Sequence, residues 1–160
     1  MLFFSYNHIA GQNIARNPNA LPTDELNGYS HRYLGNMMYS ANDIQDLRFY
    51  CQSTGHGRII DFKTSNANIK TMVVTGNAAV NALGNWNSGF TPLPGHTGIL
   101  PAAADSVLAG PSDVLSDFPF FKSAANHWGV GGLGNRWECD DYPNDQSLGT
   151  RHNIWVRMVV

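Results

Sequence analysis

Four oxygen-bearing side chains, Asp140, Asp141, Asn144 and Asp145, fall within one short run, with Glu138 just ahead of them. Carboxylates and amides on a loop are the hard ligands that Ca²⁺ takes. Asp140, Asp141 and Asp145 are therefore candidate metal ligands, and calcium is the candidate cofactor. The spacing DDYPND is not that of an EF-hand loop. The same residues serve equally well as a solvated turn whose side chains bond their own backbone. In a third use they accept hydrogen bonds from sugar hydroxyls. Tyr142 lies inside the run, Trp128 and His152 flank it, and Trp86 and Phe90 fall in a second turn-rich passage. Aromatic rings exposed in loops stack on sugar faces and anchor protein partners. The candidate ligand-binding set is Trp86, Trp128, Asp140, Asp141, Tyr142, Asn144, Asp145 and His152. The competing role for Trp86 and Trp128 is to plug the ends of a β-sandwich.

Other chemistries are not indicated. The six His form no HxH or HExxH spacing, so zinc is not expected. The GVGGLG run at 129–134 lacks both the dinucleotide spacing and the Lys-Ser/Thr of a phosphate loop. There is no G-x-S-x-G elbow, and no carboxylate pair stands out as a glycosidase couple. No catalytic residue is assigned. Cys51 and Cys139 each sit on the apolar face of an expected strand. Paired, they staple the fold by closing a long loop; unpaired, they are two buried thiols. The disulfide is the expectation.

Composition narrows the class. The chain has 160 residues, enough for one domain over 1–160, with 1–30 read as an N-terminal strand and arm. Apolar content of 42% indicates a folded chain, and only 14% of residues are charged. There are 17 Asn, and the only Lys are Lys63, Lys70 and Lys122. A neutral surface rich in hydrogen-bonding groups suits sugars better than polyanions. The net charge of −2 leaves no footprint for nucleic acid. No apolar run reaches the length of a membrane span, so membrane insertion is not expected. Met1-Leu2-Phe3-Phe4 does not make a secretory leader. The few Lys and many Asn suggest an exported or cell-surface domain of a longer chain. No Asn lies in an N-x-Ser/Thr sequon.

The positioning elements are mostly strands. Leu2–Ile9 reads as a strand, and residues 10–30 as an irregular arm, either a surface loop or a strap across a neighbouring subunit. A strand is expected over His31–Tyr39. Capping-box spacing follows at Ser40–Asp43. Leu47–Thr64 is the best hairpin: Leu47, Phe49 and Cys51 alternate against Arg48, Tyr50 and Gln52, and Ile60 and Phe62 against Asp61 and Lys63. Ile69–Thr75 reads as a strand, and short helices are expected after Asn77 and Pro101. Arg136–Asp141 and Asn153–Val160 complete the set, the last with Ile154, Val156 and Met158 opposed to Trp155, Arg157 and Val159. The fold class is all-β, or β-rich with one or two short helices: an antiparallel β-sandwich with long irregular loops.

The function these features point to is non-enzymatic recognition outside the cell, as an adhesin, lectin-like or fibre-tip domain. Its partner would be a glycan or cell-surface receptor, bound through loop aromatics and Asn/Asp. A homo-oligomer, such as a trimer, would raise avidity. The alternatives are a self-assembling structural subunit without a soluble ligand and, behind it, a hydrolase using a carboxylate or His.

Overall fold

Period-two alternation builds the strands into antiparallel sheets, as expected. The structure, a computed structural model, describes residues 1–12, 14–76, 89–98, 117–122, 126–131, 137–140 and 147–160. The larger sheet contains β1 (Leu2–His8), β2 (Tyr29–His31), β3 (Ile44–Ser53), β4 (Ile59–Thr64), β5 (Phe90–Pro92) and β9 (Thr150–Met158). Its spatial order is β2-β1-β9-β3-β4-β5. The smaller sheet orders β6 (Asp117–Lys122), β7 (Asn126–Val130) and β8 (Trp137–Cys139). All described pairings are antiparallel.

The hairpin forms in the expected register, with Phe49 opposite Phe62 and Cys51 opposite Ile60. Leu47, Phe49, Cys51, Ile60 and Phe62 are buried, and the Phe49 and Phe62 rings stack at 5.4 Å. Phe90, expected to be exposed, packs edge-on against Phe62 at 5.4 Å. The smaller sheet presses Trp128, Val130, Trp137 and Cys139 onto this face. Trp128 meets Phe4, Phe49 and His152, while Trp137 stacks on His8 at 4.2 Å. The expected disulfide is present: Cys51 on β3 is bonded to Cys139 on β8, with Cα atoms 5.7 Å apart. It ties the two sheets together.

Two expectations are corrected. Residues 31–39 do not form a strand: β2 ends at His31, and Leu34–Met37 makes a 3₁₀ turn closed by left-handed Met38. Gly35 lies so close to the Val74 carbonyl that an added Cβ would sit 2.5 Å from it. The Ile69–Thr75 stretch is helical, not extended. Helix α1 spans Ala67–Thr75, with Ile69, Met72 and Val73 buried on one side. Asn66 caps it by accepting from the Asn68 and Ile69 amides at 3.0 and 3.3 Å, and Gly76 ends it at φ 70°. Those end signals outweigh the β preference of its Val and Thr residues. Of the arm, residues 17–28 contact the chain's own sheet. Tyr6 Oη accepts from the Asn17 amide at 2.8 Å, Ser5 Oγ donates to the Asp24 carbonyl at 3.0 Å, and Asn153 Nδ2 donates to the Glu25 carbonyl at 3.0 Å. The helices expected after Asn77 and Pro101 lie outside the described residues.

Two Cys separated by 88 residues leave the disulfide a large loop to constrain. Cys51→Ala with Cys139→Ala should lower unfolding free energy by about 4–5 kcal/mol in the chain-entropy model. Guanidinium titrations of the oxidised, reduced and doubly substituted protein measure this. Three coincident midpoints would rule out a stabilising role.

Candidate functional site

Three residues expected to contact ligand are inside the protein. Trp128 is fully buried, and Phe4, Phe49 and His152 surround its ring where a sugar was expected. Asp140 is fully buried too. Its carboxylate receives Arg58 Nε at 3.2 Å, and its carbonyl receives Arg58 Nη2 at 2.6 Å. His56 Nε2 donates to the neighbouring Cys139 carbonyl at 2.9 Å. The β3–β4 turn thus clamps the end of β8 next to the disulfide, and Asp140 has a structural task. His152 is the third, with Nε2 donating to the Glu138 carbonyl at 2.7 Å. Asp141, Tyr142, Asn144, Asp145 and Trp86 lie outside the described residues. Among the described residues no group of three His, Cys, Asp or Glu could hold a metal ion.

The structure instead gathers half-exposed chemistry on the outer face of the larger sheet. When His152, Ile154 and Val156 of β9 point inward, Arg151, Asn153, Trp155 and Arg157 must point outward. In β3 the outward residues are Arg48, Tyr50 and Gln52. The register sets Arg48 beside Trp155, Tyr50 beside Asn153 and Gln52 beside Arg151. The Arg48 guanidinium lies 4.7 Å from the centre of the Trp155 ring, and that of Arg151 4.7 Å from the Tyr50 ring. Tyr50 and Trp155 meet edge to face at 6.5 Å. A band of alternating cations and rings therefore crosses the strands.

Two of its cations are held by acids. Arg48 donates to both Asp61 oxygens at 2.8 Å, which raises its pKa, and Arg157 pairs with Asp46. Arg151 makes no ion pair among the described residues. At its end the band runs into a cleft of about 520 Å³ at the mouth of β1, β3 and β9. Asn7, His8, Gln52, Ser53, Thr150 and Arg151 line it.

The alternation that sends Arg48, Tyr50 and Gln52 outward is readable in the sequence. That Trp155 and Arg151 lie beside them is not, because residues about 100 positions apart meet only through the β3–β9 register. Comparison with protein-family models, with characterised proteins and with solved structures finds no match for this chain.

His152 makes a pH prediction. Complete burial pushes it down to about 3, against the hydrogen bond to Glu138, and nearby His8 pushes the same way. Folded protein keeps it neutral, while the unfolded chain takes up a proton near its ordinary 6.5. The unfolded state thus binds more protons below that value. Stability is complete above pH ~6.5 and falls by up to about 1.4 kcal/mol per pH unit as pH drops toward 3. His152→Gln keeps a donor for Glu138 and should flatten this slope between pH 6.5 and 4.5. Urea midpoints across that range test it, and parallel slopes in the two proteins would contradict it.

Proposed function

We propose that this protein is a non-enzymatic recognition module of the adhesin, lectin-like or fibre-tip kind. In this reading the outer face of the larger sheet holds a glycan or a glycan-bearing cell-surface receptor. The observation that carries it is the band of Trp155, Arg48, Tyr50 and Arg151 leading into the cleft. Aromatic rings offer flat apolar faces to the C–H side of a sugar. Guanidinium and amide groups between them offer the directional donors that hydroxyls need. A rigid sheet holds both with little ordering cost on binding. Of the three residues a hydrolase would recruit, Asp140, Asp141 and His152, two serve the fold, and Asp141 lies outside the described residues.

The disulfide fits an oxidising compartment. No helix among the described residues is long and apolar enough to cross a membrane. An extracellular location follows as part of the same proposal, as does self-association, since single sugar sites are weak and linkage multiplies them.

A glycan array run with and without calcium tests the reading. Trp155→Ala should weaken the best binders by about tenfold or more, the loss expected for a hot-spot ring. Trp155→Phe, which keeps a ring, should retain most of the affinity. An array with no binder in either condition would remove the glycan reading, and full binding by Trp155→Ala would remove this face from it.

A further inference from the structure

We infer that His96 is a positioning residue for the outer face: it fixes Asp61, and through Asp61 the guanidinium over Trp155, so the face rearranges when His96 takes up a proton. The inference rests on the recognition reading and adds its regulation. It starts at the edge of β4. The pairing of β4 with β5 joins Phe62 to Pro92 and Thr64 to Phe90. Ile59 and Asp61 lie past its end. Residues 93–98, LPGHTG, turn back onto that edge, with Gly95 at φ 96° and the His96 amide donating to the Leu93 carbonyl at 3.0 Å.

The loop closes the edge with side chains where a strand would use carbonyls. The Asp61 amide donates to His96 Nδ1 at 3.0 Å, and the Ile59 amide to Thr97 Oγ1 at 2.8 Å. The Leu93 amide donates to the Asp61 carbonyl at 2.9 Å, and the Thr97 and Gly98 amides both donate to the Ile59 carbonyl at 3.0 Å. A ring nitrogen that accepts from a backbone amide carries no proton, so His96 is neutral here with its proton on Nε2. That Nε2 is buried without a hydrogen-bond partner.

Asp61 links this edge to the face. It is 4% exposed, and Arg48 Nε and Nη2 each donate to one of its carboxylate oxygens at 2.8 Å. The same guanidinium lies 4.7 Å from the centre of the Trp155 ring. The contacts therefore run from His96 to Asp61, Arg48 and Trp155. A second proton on His96 turns Nδ1 from acceptor into donor, and it then meets the Asp61 amide donor to donor. The bond is lost, and a buried residue's amide is left unsatisfied unless the loop and Asp61 move. The charged groups around the loop, among the described residues, are Asp61 with Arg48, Asp140 with Arg58, and Lys63 opposite Thr91. Asp140 lies close enough that a Cβ added at Gly98 would stand 2.7 Å from its Oδ2. Both acids already hold an arginine, so an imidazolium reaches either one only by loosening that pair.

The test is NMR of the full chain, titrated from about pH 8 to about pH 5, the range in which imidazoles ordinarily change charge. The Arg48 Nε–H and Trp155 Nε1–H signals should shift together with the Asp61 amide. His96→Asn places an amide oxygen near Nδ1 and does not titrate, so it should keep the neutral-form signals throughout. His96→Ala should show displaced signals at both ends. On the glycan array, acid on the native protein and His96→Ala should each weaken the best binders about two- to tenfold, the loss of one orienting hydrogen bond. His96→Asn should hold its affinity in acid. Arg48 and Trp155 signals that ignore acid, or follow it equally in His96→Asn, would overturn the inference; this comparison stands even where His96→Ala does not fold. Array binders that need Trp155 but are indifferent to both acid and His96→Ala would overturn it too, and leave the recognition reading in place. An empty array with the expected shifts would remove that reading and leave the contact chain from His96 to Trp155.

Discussion

β9 is hydrogen-bonded along both edges, to β1 on one side and β3 on the other. That double pairing leaves its side chains no choice of face. Once His152, Ile154 and Val156 are buried against the smaller sheet, Arg151, Trp155 and Arg157 stand on the opposite face. A slip of one residue would bury two arginines and expose the core. The same register fixes Arg48 over Trp155 and Arg151 over Tyr50, so the interior and the candidate binding face are set by one constraint.

The interior is polar for a sandwich core, and several of its polar groups are held by specific hydrogen bonds. The Tyr6 hydroxyl lies 2.7 Å from His31 Nδ1, His152 donates to the Glu138 carbonyl, and His56 and Arg58 close the end of β8. The bonds to Glu138, Cys139 and Asp140 and the disulfide join the two sheets where apolar contact alone would leave them free to slide. Direction comes from hydrogen bonds, and most of the driving force from the buried aromatic area. The arm adds a clamp at one edge. Gly28 lies so near Ser5 that an added Cβ would stand 2.1 Å from its Oγ, so only glycine allows residues 24–28 to reach Asn153.

Strand content, the hairpin register and the Cys pairing were legible because each shows as local alternation. Helix α1 was not, because Val and Thr dominate its composition, and its caps, Asn66 and Gly76, are single residues that also suit turns. Trp128 looked exposed because glycines follow it. In fact the first two residues of the glycine run, Gly129 and Val130, belong to β7, and the ring beside them belongs to the core. Asp140 read as part of an acidic loop, yet its partner Arg58 lies 82 residues away. Trp128 and Asp140 were missed for one reason: the deciding contact is distant in sequence, and one chain carries no record of it.

Among the described residues, two of the outer-face arginines, Arg48 and Arg157, are paired with acids. Half-exposed ion pairs such as Arg48–Asp61 add little stability, roughly 0–1 kcal/mol, because water screens them. Their effect here is positional. Asp61 holds the Arg48 plane in place, and that plane covers part of Trp155. Arg151, which has no ion pair among the described residues, lies over the Tyr50 ring. A sheet that needed only solubility would be served as well by flexible lysines. Holding planar cations against rings costs side-chain entropy that mobile lysines keep.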